Sequence, residues 1–195
     1  MTQNQNDSPS GPPAVLPHVY PLDEFYARAG LSLPRIEVIA GSEIPEPYHA
    51  LLVHNNDMTP TLEAFHGADI HLEILRSEPR GEFYLREVVL RLDQSNTPVE
   101  FGANKINLNL YGPVVRQLIL QEHLPLGHIL KTHHVPHTTQ PKAFLRLQSD
   151  AFIDRALGLK HPCVLYGRRA TIWDPQQRPL SEIVEILPPE QRARS

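Results

Sequence analysis

Residues 69–92 read DIHLEILRSEPRGEFYLREVVLRL, and their pattern decides the fold. In DIHLEILR the apolar side chains Ile70, Leu72 and Ile74 alternate with polar neighbours, while FYLREVVLRL is apolar almost throughout. Two such runs across the turn SEPRGE make a pair of facing strands. DQSNTP then turns the chain back into PVEFGANKINLNL, a third strand, so the segment is an antiparallel meander.

Working outward, Gly112-Pro113 opens VVRQLILQEH, where Val114, Leu118 and Ile119 recur at helical spacing. Pro125-Leu126-Gly127 follows as a proline-led turn. KAFLRLQ (142–148) alternates again, and Ser149-Asp150 caps the short helix AFIDRALG. CVLYGRRATIW and PLSEIVEIL flank the turn DPQQR as a terminal hairpin. Upstream, PLDEFYARAG is a short helix stopped by glycine, and Thr59-Pro60 starts another that ends at Gly67. The pattern predicts an α+β domain, with a single antiparallel β-sheet of about six strands and helices packed on one face.

The chain has 195 residues, 41% hydrophobic and 21% charged, which suits one domain with a core. Its 20 prolines are about twice the usual share of roughly 5% and exclude coiled coil and collagen. Five of them fall before Leu22, and the polar opening is too proline-rich to bury anything, so 1–17 reads as a disordered tail, 18–189 as the folded domain and 190–195 as a C-terminal tail. The opening has neither the basic start nor the apolar run of a secretory signal. No stretch approaches the roughly 20 apolar residues of a membrane helix. The lone Cys163 fits a reducing compartment, and the expected location is cytoplasmic. A net charge of -4 with scattered Lys and Arg argues against nucleic acid as the main partner. With no heptad or long apolar helix face, the sequence reads as a monomer, and a dimer stays open.

Eleven histidines raise the question of a metal, with His133, His134 and His137 the densest group. Their spacing matches no zinc pattern, so they read as loop histidines and no metal site is expected. There is no G-x-S-x-G elbow, and Gly102, Gly112 and Gly127 stand alone, so no phosphate loop is visible. The sharper signal is charge inside apolar strands, Arg86 in FYLREVVL and Glu185 in EIVEIL, because a buried charge without a partner costs several kcal/mol. Strand periodicity puts Tyr84, Arg86, Val88 and Leu90 on one face, and it sends Glu182 and Glu185 to opposite faces. Two readings follow. Arg86 and one glutamate form a buried ion pair, or they hold a planar molecule between them, the guanidinium on a carboxylate and the glutamate on a hydroxyl, with apolar walls around a ring.

FYLREVVLRLDQSNTPVEFG, PLGHIL and LYGRRATIWDPQQRPLSEIVEILPP, with NDMTPTLEAF upstream, resemble the ordered motifs of the chorismate lyase family, in particular its longer branch. The resemblance implies elimination of pyruvate from chorismate to give 4-hydroxybenzoate, without cofactor or metal, as in the quinone-pathway enzymes of bacteria. It implies that Arg86 grips the ring carboxylate with the backbone amides of Met58 and Leu126, and that Glu185, or alternatively Glu182, takes the ring hydroxyl. One departure stands out: Ala103 occupies the place of the family's second arginine. Lys105, Arg168 or Arg169 would then supply the missing charge. The segments 55–60 and 123–127 are expected to gate the pocket. The same architecture also resembles the effector-binding domain of a family of transcription regulators, which gives the alternative of a non-catalytic sensor of small aromatic acids. Such regulators carry a helix-turn-helix ahead of the sensor, and the stretch before Pro34 reads as a tail and one short helix. A lyase acting on a related enolpyruvyl compound is a third possibility.

Overall fold

The computed structural model describes residues 17–190. The expected tails, 1–17 and 190–195, lie outside that range apart from Pro17 and Glu190. Seven strands form one antiparallel sheet, in the order β1 (Ile36–Ile39), β5 (Thr138–Gln148), β6 (Val164–Trp173), β7 (Pro179–Leu187), β4 (Pro98–Asn107), β3 (Phe83–Leu92), β2 (Ile70–Arg80). The expected meander is its right half: β2 (Ile70–Arg80), β3 (Phe83–Leu92) and β4 (Pro98–Asn107). The terminal hairpin, β6 (Val164–Trp173) with β7 (Pro179–Leu187), is inserted beside β4, and β5 (Thr138–Gln148) pairs with β6. The seventh strand, β1 (Ile36–Ile39), is four residues long and borders β5. Nothing in so short a run distinguishes it by periodicity.

The helices divide between the two faces of the sheet, where a single helical layer was expected. On one side α1 (Leu22–Arg28) and α6 (Ala151–Leu157) bury Leu22, Phe25, Tyr26, Ile153 and Leu157 against Leu85, Val89, Phe101, Ala103, Val184 and Ile186. On the other, α4 (Pro113–Leu120) and α5 (Leu126–Thr132) pack on Tyr84, Ile106, Ile172 and Ile183. There too α2 (Tyr48–Leu52) and α3 (Met58–His66) pack on Ile70, Leu90, Val99 and Leu187. The unbroken apolar run of β3 has this cause, since a strand covered on both faces needs apolar residues at odd and even positions alike.

Local chemistry fixes the helix starts. Asp150 caps α6, its carboxylate accepting from the amides of Phe152 and Ile153 at 3.0 and 2.9 Å. Pro113 opens α4 at its first turn. Two starts differ from expectation. α3 begins at Met58 with Asp57, not Thr59, in the cap position, and the turn at Pro125 is the entry to a full helix, α5. No helix among the described residues is long and apolar enough to cross a membrane.

Candidate ligand-binding site

Register across the central strands assembles the site. Arg86 of β3 faces Asn104 of β4, which faces Ile183 of β7. The next row on the same face is Val88, Gly102, Glu185 and Arg168, and beyond it Leu90 faces Glu100. These residues floor a cavity walled by Leu72, Ile172, Met58 and Leu126, with Asp57, Thr59, Thr139, Pro125 and Gly127 at its rim. The enclosed space is small, about 40 Å³, by volume enough for a few water molecules.

Arg86 is 1% exposed, and among the described residues its Nε and Nη1 have no hydrogen-bond partner. Burial pulls its pKa down to about 10, which still leaves it a cation at neutral pH. Two tyrosines flank that charge. Burial pushes Tyr84 up to about 12 while its hydroxyl donates to Glu122, and Tyr111, raised by its own burial, carries a buried hydroxyl with no partner among the described residues. The expected alternative of an ion pair between Arg86 and a glutamate is not what forms.

Glu185 is held by Arg168 instead, Nε donating to Oε2 at 2.5 Å in a pair with almost no exposure. The remaining guanidinium N–H groups of Arg168 donate to the carbonyls of His54 and Asn56, both at 3.0 Å. Arg168 thereby fastens the loop that delivers Met58 over the cavity. A second fastening is Asp57, whose carboxylate accepts from Thr139 Oγ1 at 2.6 Å and from His137 Nε2 at 2.9 Å. His137 Nδ1 lies 2.7 Å from the carbonyl of Val135, so both ring nitrogens face acceptors and the ring is held as a doubly donating imidazolium. α3 and α5 meet at Gly127, where a Cβ would come within 3.2 Å of Thr59 Oγ1. This close approach favours glycine, since a Cβ would push the neighbouring helix start away by a few tenths of an ångström.

The structure therefore brings Arg86, Glu185, Met58 and Leu126 to one cavity and leaves other expected residues out of it. Glu182 lies on the opposite face, accepting from Arg169 at 2.7 Å and Thr171 at 2.8 Å, as the odd spacing from Glu185 requires. Lys105 is on that face too, donating to the Tyr20 hydroxyl at 2.6 Å and covering the Phe83 ring. Ala103 is buried in the opposite core, so a longer side chain there would not enter the cavity. Asn104, Glu100, Asp57 and Thr139 line the site and were not read from the sequence. Glu100 carried the signal that exposed Arg86 and Glu185, a charge inside an apolar strand.

No protein-family model matches the chain, and no curated protein sequence does. Solved structures do. PhnF from Mycobacterium smegmatis superposes with a TM-score of 0.55 at 13% identity, over 70% of this chain and 65% of that one. The chain thus spans just under two thirds of PhnF. The separate effector domain of PhnF gives 0.52 at 12% identity, over 69% of this chain and 89% of that one. A GntR-family transcriptional regulator from Bacillus cereus gives 0.44 at 11% identity, over 63% and 93%. The neighbour above a TM-score of 0.5 whose domain is named is an effector domain, which corrects the expectation of a chorismate pyruvate-lyase, together with chorismate as substrate and the link to quinone synthesis. The site has a physical reason to agree. Chorismate carries two carboxylates, whereas Arg86 is the one cation among the described residues lining the cavity, Lys105 and Arg169 face away, and Arg168 is engaged by Glu185 and backbone carbonyls. What the likeness establishes is the fold, an α+β domain built on a single antiparallel sheet and shared with the PhnF effector domain.

Proposed function

We propose that the chain is a non-catalytic sensor-type domain that binds a small organic acid, of the size of a single ring, through its carboxylate. The observation that carries this reading is Arg86, a fully buried guanidinium whose Nε and Nη1 have no partner among the described residues, at one end of an apolar-walled cavity. A buried charge without a partner costs several kcal/mol, and a ligand carboxylate gripped by the guanidinium fork removes that cost. The α3 amides beginning at Met58 add donors where negative charge would sit. Leu72, Val88, Leu90, Ile172 and Ile183 give the body of the ligand an apolar bed. The likeness to the PhnF effector domain supports a ligand-holding role for this sheet face.

The cavity is narrower than a ring requires, so α3 and α5 separate at their starts to admit the ligand and close over it. Calorimetric titration with benzoate tests the reading. Saturable binding to the wild type and a loss of about tenfold or more in Arg86→Gln, with the variant folded by circular dichroism, is the expected result. Equal affinity in both proteins would rule the carboxylate site out.

A further inference from the structure

Tyr111 is a second group at the Arg86 end of the cavity that the fold leaves unused. It follows the single 3-10 turn Leu108–Leu110 and precedes Gly112 and Pro113 at the start of α4. The side chain is buried in the core with Tyr84, Ile119, Leu126, Ile172 and Ile183, the last three of which also border the cavity. Its hydroxyl is out of water and has no hydrogen-bond partner among the described residues. The other buried tyrosines are engaged: Tyr26 donates to Asp150 at 2.8 Å, Tyr84 donates to Glu122, and Tyr20 accepts from Lys105 at 2.6 Å. The Tyr111 hydroxyl feels the charges of both Arg86 and Asp57, one on the floor of the cavity and one at its rim, which puts it on the cavity side of its ring.

Arg86 and Tyr111 lack the same thing. Each holds donors away from water, and among the described residues no acceptor reaches Arg86 Nε and Nη1 or the phenol. Burial holds Tyr111 well above its ordinary pKa against the opposing charge of Arg86, so at neutral pH it keeps its proton and donates. A phenol also accepts, and within reach of the guanidinium it would take a hydrogen bond from Arg86 directly. No such bond forms, so the two stand apart by more than a hydrogen bond. Neighbouring donors without an acceptor mark the place of a group that accepts from both, and a carboxylate has lone pairs enough for the guanidinium and the phenol together. A water between them would fill the same place, and the hydroxyl would then serve the fold instead of a ligand.

We propose that Tyr111 is a further binding residue of this site, its hydroxyl donating to the same acid group that Arg86 grips and left without a partner until the ligand arrives. This rests on the reading of Arg86 as the carboxylate anchor. The test uses Tyr111→Phe, which removes one oxygen and keeps the ring in the core, and reads two quantities, benzoate affinity by calorimetry and the urea midpoint of the ligand-free protein. The two move in different directions. Benzoate affinity falls by about tenfold or more, the loss of a hydrogen bond to a charged group, while the midpoint stays where it is or rises, because a buried hydroxyl without a partner has been taken away. Unchanged affinity overturns the assignment, and the Arg86 anchor still stands if Arg86→Gln weakens benzoate in the same series. A lowered midpoint also overturns it, since the hydroxyl then had a partner in the free protein. If benzoate fails to bind the wild type, the anchor falls and the assignment falls with it.

Discussion

Asp57 and His137 are 80 residues apart in the chain, and their side chains meet at 2.9 Å, joining the start of α3 to the start of β5. Burial opposes the charge on Asp57, but the hydrogen bonds from His137 and Thr139 outweigh it and hold the carboxyl below its ordinary value. The hydrogen bond to Asp57 raises His137 above its ordinary value, against the opposing effect of burial.

The sign of each shift sets the pH window of this latch. His137 contributes stability that is complete below its unfolded value, near 6.5, and is lost as pH rises through the higher folded one. Asp57 contributes stability that is complete above 3.8 and is lost as pH falls through the lower folded value. The latch is therefore strongest between those two ordinary values. Asp57→Asn is expected to cost about 1–3 kcal/mol at pH 5.5 and less at pH 9. Urea unfolding of both proteins at the two pH values checks this, and an equal cost at both would contradict it.

Glu87 also makes stability fall with rising pH, over a lower interval than His137. It lies beneath α1 and is 1% exposed, and burial pushes it up to about 7 despite Arg76 at 3.3 Å. Between its ordinary value of 4.5 and about 7 the folded chain binds more proton than the unfolded one, so stability falls as pH rises across that interval. Glu87→Gln removes the penalty. Relative to wild type it is expected to gain about 1–3 kcal/mol between pH 5 and pH 8, measured by the shift of the urea midpoint.

The Arg168–Glu185 pair predicts an asymmetry between single and double replacement. Arg168→Met leaves Glu185 buried and uncompensated and frees the carbonyls of His54 and Asn56, for a cost of about 3–5 kcal/mol. Arg168→Met with Glu185→Leu is expected to recover a substantial part of that loss. Hydrogen exchange at residues 54–57 rises in both variants, because the loop loses its fastening in each.

Gly127→Ala tests the closure of the two helix starts. The added methyl group presses on Thr59 and Asp57 at 3.2 to 3.4 Å, tight enough to force α3 and α5 apart by a few tenths of an ångström. The expected cost is about 1 kcal/mol in stability, with benzoate affinity lowered several-fold. Thr59→Gly in the same chain relieves the contact and restores the affinity. Lys105→Met, on the opposite face, leaves benzoate affinity unchanged.

The sheet and two of its charged residues were legible because their signals are local. Alternation in 69–92 marks the meander, and Arg86 and Glu185 stand out against apolar neighbours. Parity alone separated Glu185 from Glu182. It applies equally to Arg168 and Arg169, and to Asn104 beside Ala103 and Lys105, but without a strand order no face could be assigned to them. Asp57 and His137 carry no local mark, since what joins them is the docking of α3 on β5. The helices on both faces had a trace in the odd positions of β3, where Leu85 and Val89 are as apolar as Tyr84 and Val88. The function implied by the motifs was misleading for a physical reason. They record how a sheet presents Arg86 to a cavity, and a buried guanidinium at a cavity wall is suited to any small carboxylate, not to one reaction.

Neighbouring charges in β3 and β6 lie on opposite sides of a thin wall: Arg86 borders the cavity and Glu87 the α1 side, and Arg168 and Arg169 divide in the same way. Deleting a single residue from the centre of β3 would exchange the two sides beyond that point and put Glu87 where Arg86 now stands. A cavity bordered by a buried cation would become one bordered by a buried carboxylate, with almost no change in the amino-acid composition of its motif. The polarity of the site is thus written in the phase of one strand, and insertions or deletions in β3 and β6 should be far less tolerated than substitutions at the same positions.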